Sequence, residues 1–274
     1  MPLYKPSELH TFLESLGIHP RKALSQNFLI DGNIIRKIVA AADVVPGETV
    51  IEIGPGPGSL TEALLAAGAE VFAIEKDPTL ARALRRLEPD EKQLHIFPND
   101  VLEIDFTRFP KSKVIANLPY NITTPILERL ITQPERFSRL VLMVQEEVAR
   151  RFTALPHAPE YGSITLFLNF YSIPRYCFQV NPTCFYPAPK VHSAIVEFTL
   201  HSPPLVDAVQ FFKLTRTAFQ QRRKMMRGSL KEAFPHIIEA LAKAGLSPEA
   251  RPEQLSLEQF LHLYHSIIFC SPKK

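Results

Sequence analysis

A chain of 274 residues, 46% hydrophobic and 22% charged with a formal net charge of +3, is long enough for one or two domains with a full core and too ordinary in composition to be disordered. No apolar segment follows a basic one at the N-terminus, and no uncharged apolar run approaches the roughly 18 residues of a bilayer span, so a cytoplasmic protein without membrane contact is expected. Cys177, Cys184 and Cys270 are odd in number and lack C-x-x-C spacing, which argues against a disulfide framework and a zinc site, and no metal is expected.

Short β-branched runs alternate with longer helix-like segments from Thr49 onward, the signature of an α/β fold with a parallel sheet covered by helices. In chain order the expected strands are Thr49–Ile53, Glu70–Glu75, Leu94–Phe97, Lys113–Ala116 and Leu140–Val144, with helices near 59–68, 78–88 and 123–133. Runs at Arg175–Val180 and Val191–Leu200 flank a proline-rich loop and are expected to add two antiparallel strands at the sheet edge. Ser202-Pro203-Pro204 reads as a linker. Beyond it, Val206–Phe219, Met225–Phe234, Ile237–Ala244 and Leu257–Ile267 have helical character, predicting a small all-helical second domain.

Three of the chain's 10 glycines fall in Gly54-Pro-Gly56-Pro-Gly58, directly after the first strand. Glycine there lets the backbone turn sharply and approach a ligand closely. Ser59 stands where the dinucleotide fingerprint places its third glycine, which disfavours a pyrophosphate cofactor, and with it a nicotinamide oxidoreductase, but leaves a nucleoside cofactor open. Glu75 closes the second strand about 20 positions on, where a doubly wound sheet places an acid for ribose hydroxyls; a solvated strand-end charge is the plainer alternative. Asp100 is placed to accept from a cofactor adenine amine while Val101 packs on the ring, or else to cap a turn.

Asn117-Leu118-Pro119-Tyr120 joins an amide, a proline-fixed backbone and an aromatic face at one strand end. Proline has no N–H and restricts the residue before it, so carbonyls around Leu118 and the Asn117 amide can serve as acceptors for an adenine amino group on which Tyr120 stacks. Two acceptors on its hydrogens would help localise the conjugated lone pair of that weakly nucleophilic nitrogen. A strand ending in a proline turn is the alternative for the tetrapeptide alone.

These motifs occur together, and in order, with Gln26-Asn-Phe-Leu29, Glu52-Ile-Gly, Gln145-Glu-Glu-Val-Ala-Arg150, Tyr161-Gly162, Phe185-Tyr-Pro-Ala-Pro-Lys-Val191 and Phe219-Gln-Gln-Arg-Arg-Lys224. The set resembles the S-adenosylmethionine-dependent rRNA adenine N6,N6-dimethyltransferases, most closely their bacterial small-subunit branch, from about residue 20 to the C-terminus. Ser163, His192, Met225-Met226 and Gly228 depart from the family's usual residues outside the cofactor loop. The resemblance implies a Rossmann-like class I methyltransferase domain over residues 1–202, with 1–25 as an N-terminal arm, and a helical RNA-contacting domain over 203–274. It implies dimethylation of two adjacent adenosines in the 3′-terminal hairpin loop of 16S rRNA.

The family pattern further implies that Asn27 and Leu29 cover S-adenosylmethionine, that Gly54, Gly56 and Gly58 pass beside its methionine part, and that Glu75 binds the ribose and Asp100 with Val101 the adenine. Asn117 and the Leu118 carbonyl would hold the target nitrogen, with Tyr120 and Phe185 stacking on the flipped base. Methyl transfer from a sulfonium needs alignment at about 3–3.5 Å rather than a general base, and none of the nine histidines falls in these motifs. Between Lys213 and Lys231 no acid interrupts a run of cations that includes Arg222, Arg223, Lys224 and Arg227. Such a run is usually one solvated helix face; here it is also expected to meet RNA phosphate while Phe211, Phe212 and Phe219 pack on the catalytic domain. A monomer is expected. The competing readings are a 23S rRNA dimethyltransferase of the antibiotic-resistance type and a non-catalytic assembly factor, and Arg222-Arg223-Lys224 favours the small subunit.

Overall fold

The computed structural model describes residues 3–18, 26–88, 92–221 and 224–270. They form two compact units: the described residues of Met1–Ala149 with Ile173–His201, and those of Arg150–Ser172 with Ser202–Lys274.

The first unit opens with α1 (Pro6–Ser15), the short strand β1 (Phe28–Leu29) and α2 (Gly32–Ala42). Asp31 starts α2 by accepting from the backbone N–H groups of Asn33 and Ile34, satisfying donors that the first turn leaves without partners. Then come β2 (Thr49–Ile53), α3 (Ser59–Ala66), β3 (Glu70–Ile74), α4 (Pro78–Ala83), β4 (Leu94–Phe97), β5 (Ser112–Asn117), α5 (Thr123–Ile131) and β6 (Phe137–Gln145). Asp77 caps α4 in the same way, with Pro78 in its first turn, and a 3-10 turn over Leu84–Arg86 follows the helix.

The central strands β2 and β5 are buried along most of their length, polar Glu52, Ser112 and Lys113 included, and Val50, Ile51, Val114 and Ile115 are fully buried. Parallel register puts Ile53 opposite both Ile74 and Ala116, and Ile74 opposite Phe97. Gly54 and Glu75, which follow β2 and β3, and Asn117, the last residue of β5, therefore emerge at one edge. After β6 the chain enters α6 (Glu146–Phe152) and α7 (Ser163–Tyr171), returns along β7 (Ser172–Val180) and the two-residue strand β8 (Phe185–Tyr186), and completes the sheet with β9 (Ser193–Leu200). The seven strands lie in the order β4-β3-β2-β5-β6-β9-β7. β9 runs antiparallel to β6. A separate ribbon pairs β1 with β8, Phe28 opposite Tyr186 and Leu29 opposite Phe185.

The second unit contains α7 with α8 (Ala208–Gln220), α9 (Met226–Leu230), α10 (Ile237–Lys243) and α11 (Leu257–Cys270). Its division from the first unit differs from the sequence expectation, which left residues 150–172 with the sheet. Leu166 and Phe170 of α7 belong to the same core as Phe211, Phe260 and Leu263, the Phe170 ring lies 5.2 Å from that of Phe211, and the Tyr161 hydroxyl donates to the Leu255 carbonyl at 2.8 Å. Phe211 and Phe212 accordingly pack within the second unit. No helix among the described residues is long and apolar enough to cross a membrane.

Candidate active site

A cavity of about 320 Å³ opens where Gly54, Glu75 and Asn117 leave the sheet. It sits at the reversal of strand order between β2 and β5, the crevice in which open α/β sheets bind ligands. Of the expected residues, Asn27, Gly54, Gly56, Glu75, Asp100, Val101 and Asn117 through Tyr120 line it.

The glycine turn forms one wall. Gly54, Gly56 and Gly58 have φ of +67°, +56° and +92°, conformations that side chains with a Cβ rarely adopt. Gly56 is close-packed as well, since a Cβ there would lie 3.1 Å from the Phe28 ring. Glu75, 7% exposed, accepts from the Gly56 N–H at 2.9 Å and from the Asp77 N–H at 2.8 Å. Burial raises its pKa, while those backbone donors oppose the rise.

After β4, Asp100 Oδ2 is 2.7 Å from Lys76 Nζ and Oδ1 accepts from the Leu102 N–H at 2.9 Å. The Lys76 hydrogen bond and the Leu102 N–H lower the Asp100 pKa, so this end of the cavity carries an ionised carboxylate with Val101 beside it. Asn117 Nδ2 donates to the Asn27 carbonyl at 3.0 Å. Because a carbonyl only accepts, the amide nitrogen faces Asn27 and Oδ1 remains an acceptor. The turn after Asn117 is tied down by the Pro119 carbonyl, which accepts from the Ile122 N–H and the Thr123 hydroxyl. Tyr120 is half-buried with its hydroxyl 2.6 Å from Ser193 Oγ, and burial raises its pKa.

Three expected contacts lie elsewhere. Leu29 and Phe185 face each other in the β1–β8 ribbon and are buried in the core, 7% and 3% exposed. Phe185 is therefore a packing residue in this structure, and the aromatic rings at the cavity are those of Phe28 and Tyr120. Gly58 is required by packing, because a Cβ there would come within 2.8 Å of the Leu84 and Leu87 methyl groups. The cavity also takes Phe28, Lys76, Asp77 and Ile126, to which no role was assigned; the place of Phe28 within Gln26-Asn-Phe-Leu29 and that of Lys76 immediately after Glu75 were the available signals. Arg222 and Arg223 lie outside the described residues. Lys224 and Arg227 are exposed on the second unit, as are Lys213 and Arg216 on α8, whose other face buries Phe211, Leu214 and Ala218.

A pocket this size suits a small molecule, and its lining suits a nucleoside: a buried acid for hydroxyls, an ionised acid for an amine, and apolar Ile53 and Val101 for a ring. With β4, β3, β2, β5 and β6 parallel and β9 antiparallel to β6, the fold and cavity together define a class I S-adenosylmethionine-dependent methyltransferase. A sequence profile of ribosomal RNA adenine dimethylases matches residues 18–268. The chain is 59% identical to ribosomal RNA small subunit methyltransferase A of Protochlamydia amoebophila, covering 97% of this chain and 98% of that protein. It is 44% identical to the protein of the same name from Chlamydia trachomatis, covering 94% and 96%. Among solved structures it resembles a dimethyladenosine transferase from Plasmodium falciparum, with 26% identity, a TM-score of 0.78 and coverage of 86% of this chain and 95% of that one. The 23S rRNA methyltransferase ErmE aligns with 26% identity and a TM-score of 0.72, over 88% of this chain and 100% of that one. The chain belongs to the ribosomal RNA adenine dimethylase family.

Proposed function

We propose that this protein dimethylates N6 of two adjacent adenosines in the 3′-terminal hairpin loop of 16S rRNA, acting as a cytoplasmic monomer on the small ribosomal subunit or its precursor. The names of the relatives at 59% and 44% identity support the small subunit. The fold does not discriminate between subunits, since a 23S rRNA methyltransferase shares it.

The observation that carries the chemistry is the bond from Asn117 Nδ2 to the Asn27 carbonyl, which leaves Asn117 Oδ1 as an acceptor in the cavity. When bound, S-adenosylmethionine supplies the methyl group from a cationic sulfonium. Glu75 holds the ribose hydroxyls, Asp100 the adenine amine with Val101 against the ring, and Asn27, Gly54 and Gly56 line the methionine end. Asn117 Oδ1 and the Leu118 carbonyl accept hydrogens of the target amine, and Tyr120 stacks on the target base. As positive charge grows on the target nitrogen these acceptors bind it more strongly, so they favour the transition state over the ground state. Extruding an adenine costs a few kcal/mol, least where it is already unpaired, and aromatic stacking offsets about 1–3 kcal/mol of that. Loop adenines are therefore the accessible targets. Leu29 and Phe185 act indirectly, by holding the ribbon that presses Phe28 against Gly56. Exposed Lys224 and Arg227, with Arg222 and Arg223 in the same run, contact RNA phosphates.

The test is transfer of labelled methyl from S-adenosylmethionine to small subunits lacking the modification, beside naked small- and large-subunit rRNA, with nucleoside mass analysis. Dimethyladenosine in the small-subunit 3′ hairpin is the expected product. Label confined to large-subunit RNA, or none despite cofactor binding, would reject the proposal.

A further inference from the structure

The turn Gly54–Gly58 is built from backbone conformations that a free chain selects at high entropic cost, and it is held from two sides. Glu75 takes the Gly56 N–H. On the other side the Arg86 guanidinium donates through Nη2 to the Pro57 carbonyl at 2.5 Å, while Nη1 donates to the Ala83 carbonyl at 2.9 Å. The same guanidinium lies over the ring of Phe12 in α1, 4.5 Å from its centroid. α1 in turn packs Leu9 and Leu13 against Phe28 and Leu80, both of which line the cavity.

We infer that Arg86 is a positioning residue that holds the cofactor turn through the Pro57 carbonyl, and that Phe12 lets α1 contribute to cofactor affinity although no α1 residue lines the cavity. This rests on the reading that the cavity takes S-adenosylmethionine. Only a permanently charged fork can reach two carbonyls and sit over an aromatic ring at once. Lysine keeps the charge but is a point donor. Because Arg86 touches the turn and not the acceptor residues, it acts on cofactor affinity and leaves turnover at saturating cofactor alone.

Calorimetric titration with S-adenosylhomocysteine, paired with turnover at saturating S-adenosylmethionine, tests this on the full chain. R86M is expected to weaken binding about tenfold, the loss of one charge-assisted hydrogen bond, with turnover within about twofold of wild type. F12A should weaken binding roughly threefold, and the R86M/F12A protein should bind no worse than R86M alone, since Phe12 acts through Arg86. If R86M proves unfolded by circular dichroism, R86K carries the comparison, with an expected weakening of about threefold. Unchanged affinity in the Arg86 variant, additive losses in the double variant, or turnover falling in step with affinity would overturn the inference while the cofactor reading stands. A wild-type protein that binds no S-adenosylhomocysteine would remove both.

Discussion

The side-chain nitrogen of Asn117 lies 3.0 Å from the backbone carbonyl oxygen of Asn27, a contact across 90 positions of the chain. It joins the N-terminal segment to the end of β5 and fixes the orientation of the amide, with its nitrogen toward Asn27. Asn117→Ala removes the acceptor and should lower turnover by about 10²-fold, in the range seen when one preorganised polar group is deleted from a reacting centre. S-adenosylhomocysteine should still bind. Asn117→Asp should be at least as damaging, because a carboxylate oxygen would face the Asn27 carbonyl. Unchanged turnover with weakened cofactor binding in N117A would reject the role.

Ser193, fully buried at the start of β9, holds the Tyr120 hydroxyl at 2.6 Å. If the bond serves to aim the ring, Ser193→Ala and Tyr120→Phe should lower turnover alike, by roughly fivefold, the equivalent of one neutral hydrogen bond. Tyr120→Ala should cost more, since it also loses the stacking face. Single-turnover rates would separate the cases, and a Tyr120→Ala protein as active as Tyr120→Phe would exclude stacking.

Glu75→Gln preserves shape but replaces one acceptor oxygen with a donor. Both carboxylate oxygens of Glu75 accept backbone N–H groups, from Gly56 and Asp77, so the amide nitrogen of glutamine must face one of them. Cofactor affinity should fall at least about tenfold, and calorimetry with S-adenosylhomocysteine reads it directly. Wild-type affinity in E75Q would show that the turn does not depend on this carboxylate.

Glu52, 1% exposed at the end of β2, has its pKa pushed from 4.5 to about 8, chiefly by burial, with Thr61 opposing the rise and Glu75 adding to it. Between pH 4.5 and about 8 the folded protein keeps a proton that the unfolded chain has released, so this group makes stability fall as pH rises through that window. Above it the cost is complete, of the order of a few kcal/mol. Glu52→Gln should therefore gain thermal stability relative to wild type as pH increases from about 5 to 8. A melting-temperature difference that does not vary with pH would show that Glu52 is ionised in the fold.

Neutralising Lys224 and Arg227 together should weaken RNA binding and flatten the dependence of log affinity on log salt by about 1–2, given 0.7–0.9 per phosphate contact. A slope equal to that of wild type would place the RNA-contacting surface elsewhere.

The strands β2 to β6 were legible in the sequence because short runs of strand-favouring residues alternate with longer helix-like segments, and Thr49–Ile53 and Leu94–Phe97 fall at the expected bounds. The cavity's acids, amide and glycine turn were legible for a related reason. In a parallel sheet the C-terminal ends of the strands arrive at the same edge, so order along the chain maps onto position around the site, as Gly54, Glu75 and Asn117 illustrate. α7 was invisible as part of the second unit, since its sequence is apolar on most sides and nothing local says which core it enters; Phe211 and Phe260 decide that. Phe185 reads as a motif aromatic available for stacking, yet its pairing with Leu29, far away in the chain, turns it into the core. The links from Asp100 to Lys76, from Tyr120 to Ser193 and from Arg86 to Pro57 and Phe12 belong to the same class. Local sequence determines which backbone a segment adopts and what chemistry it carries, but which side chains meet is decided by the closing of long loops, and that information exists only in three dimensions.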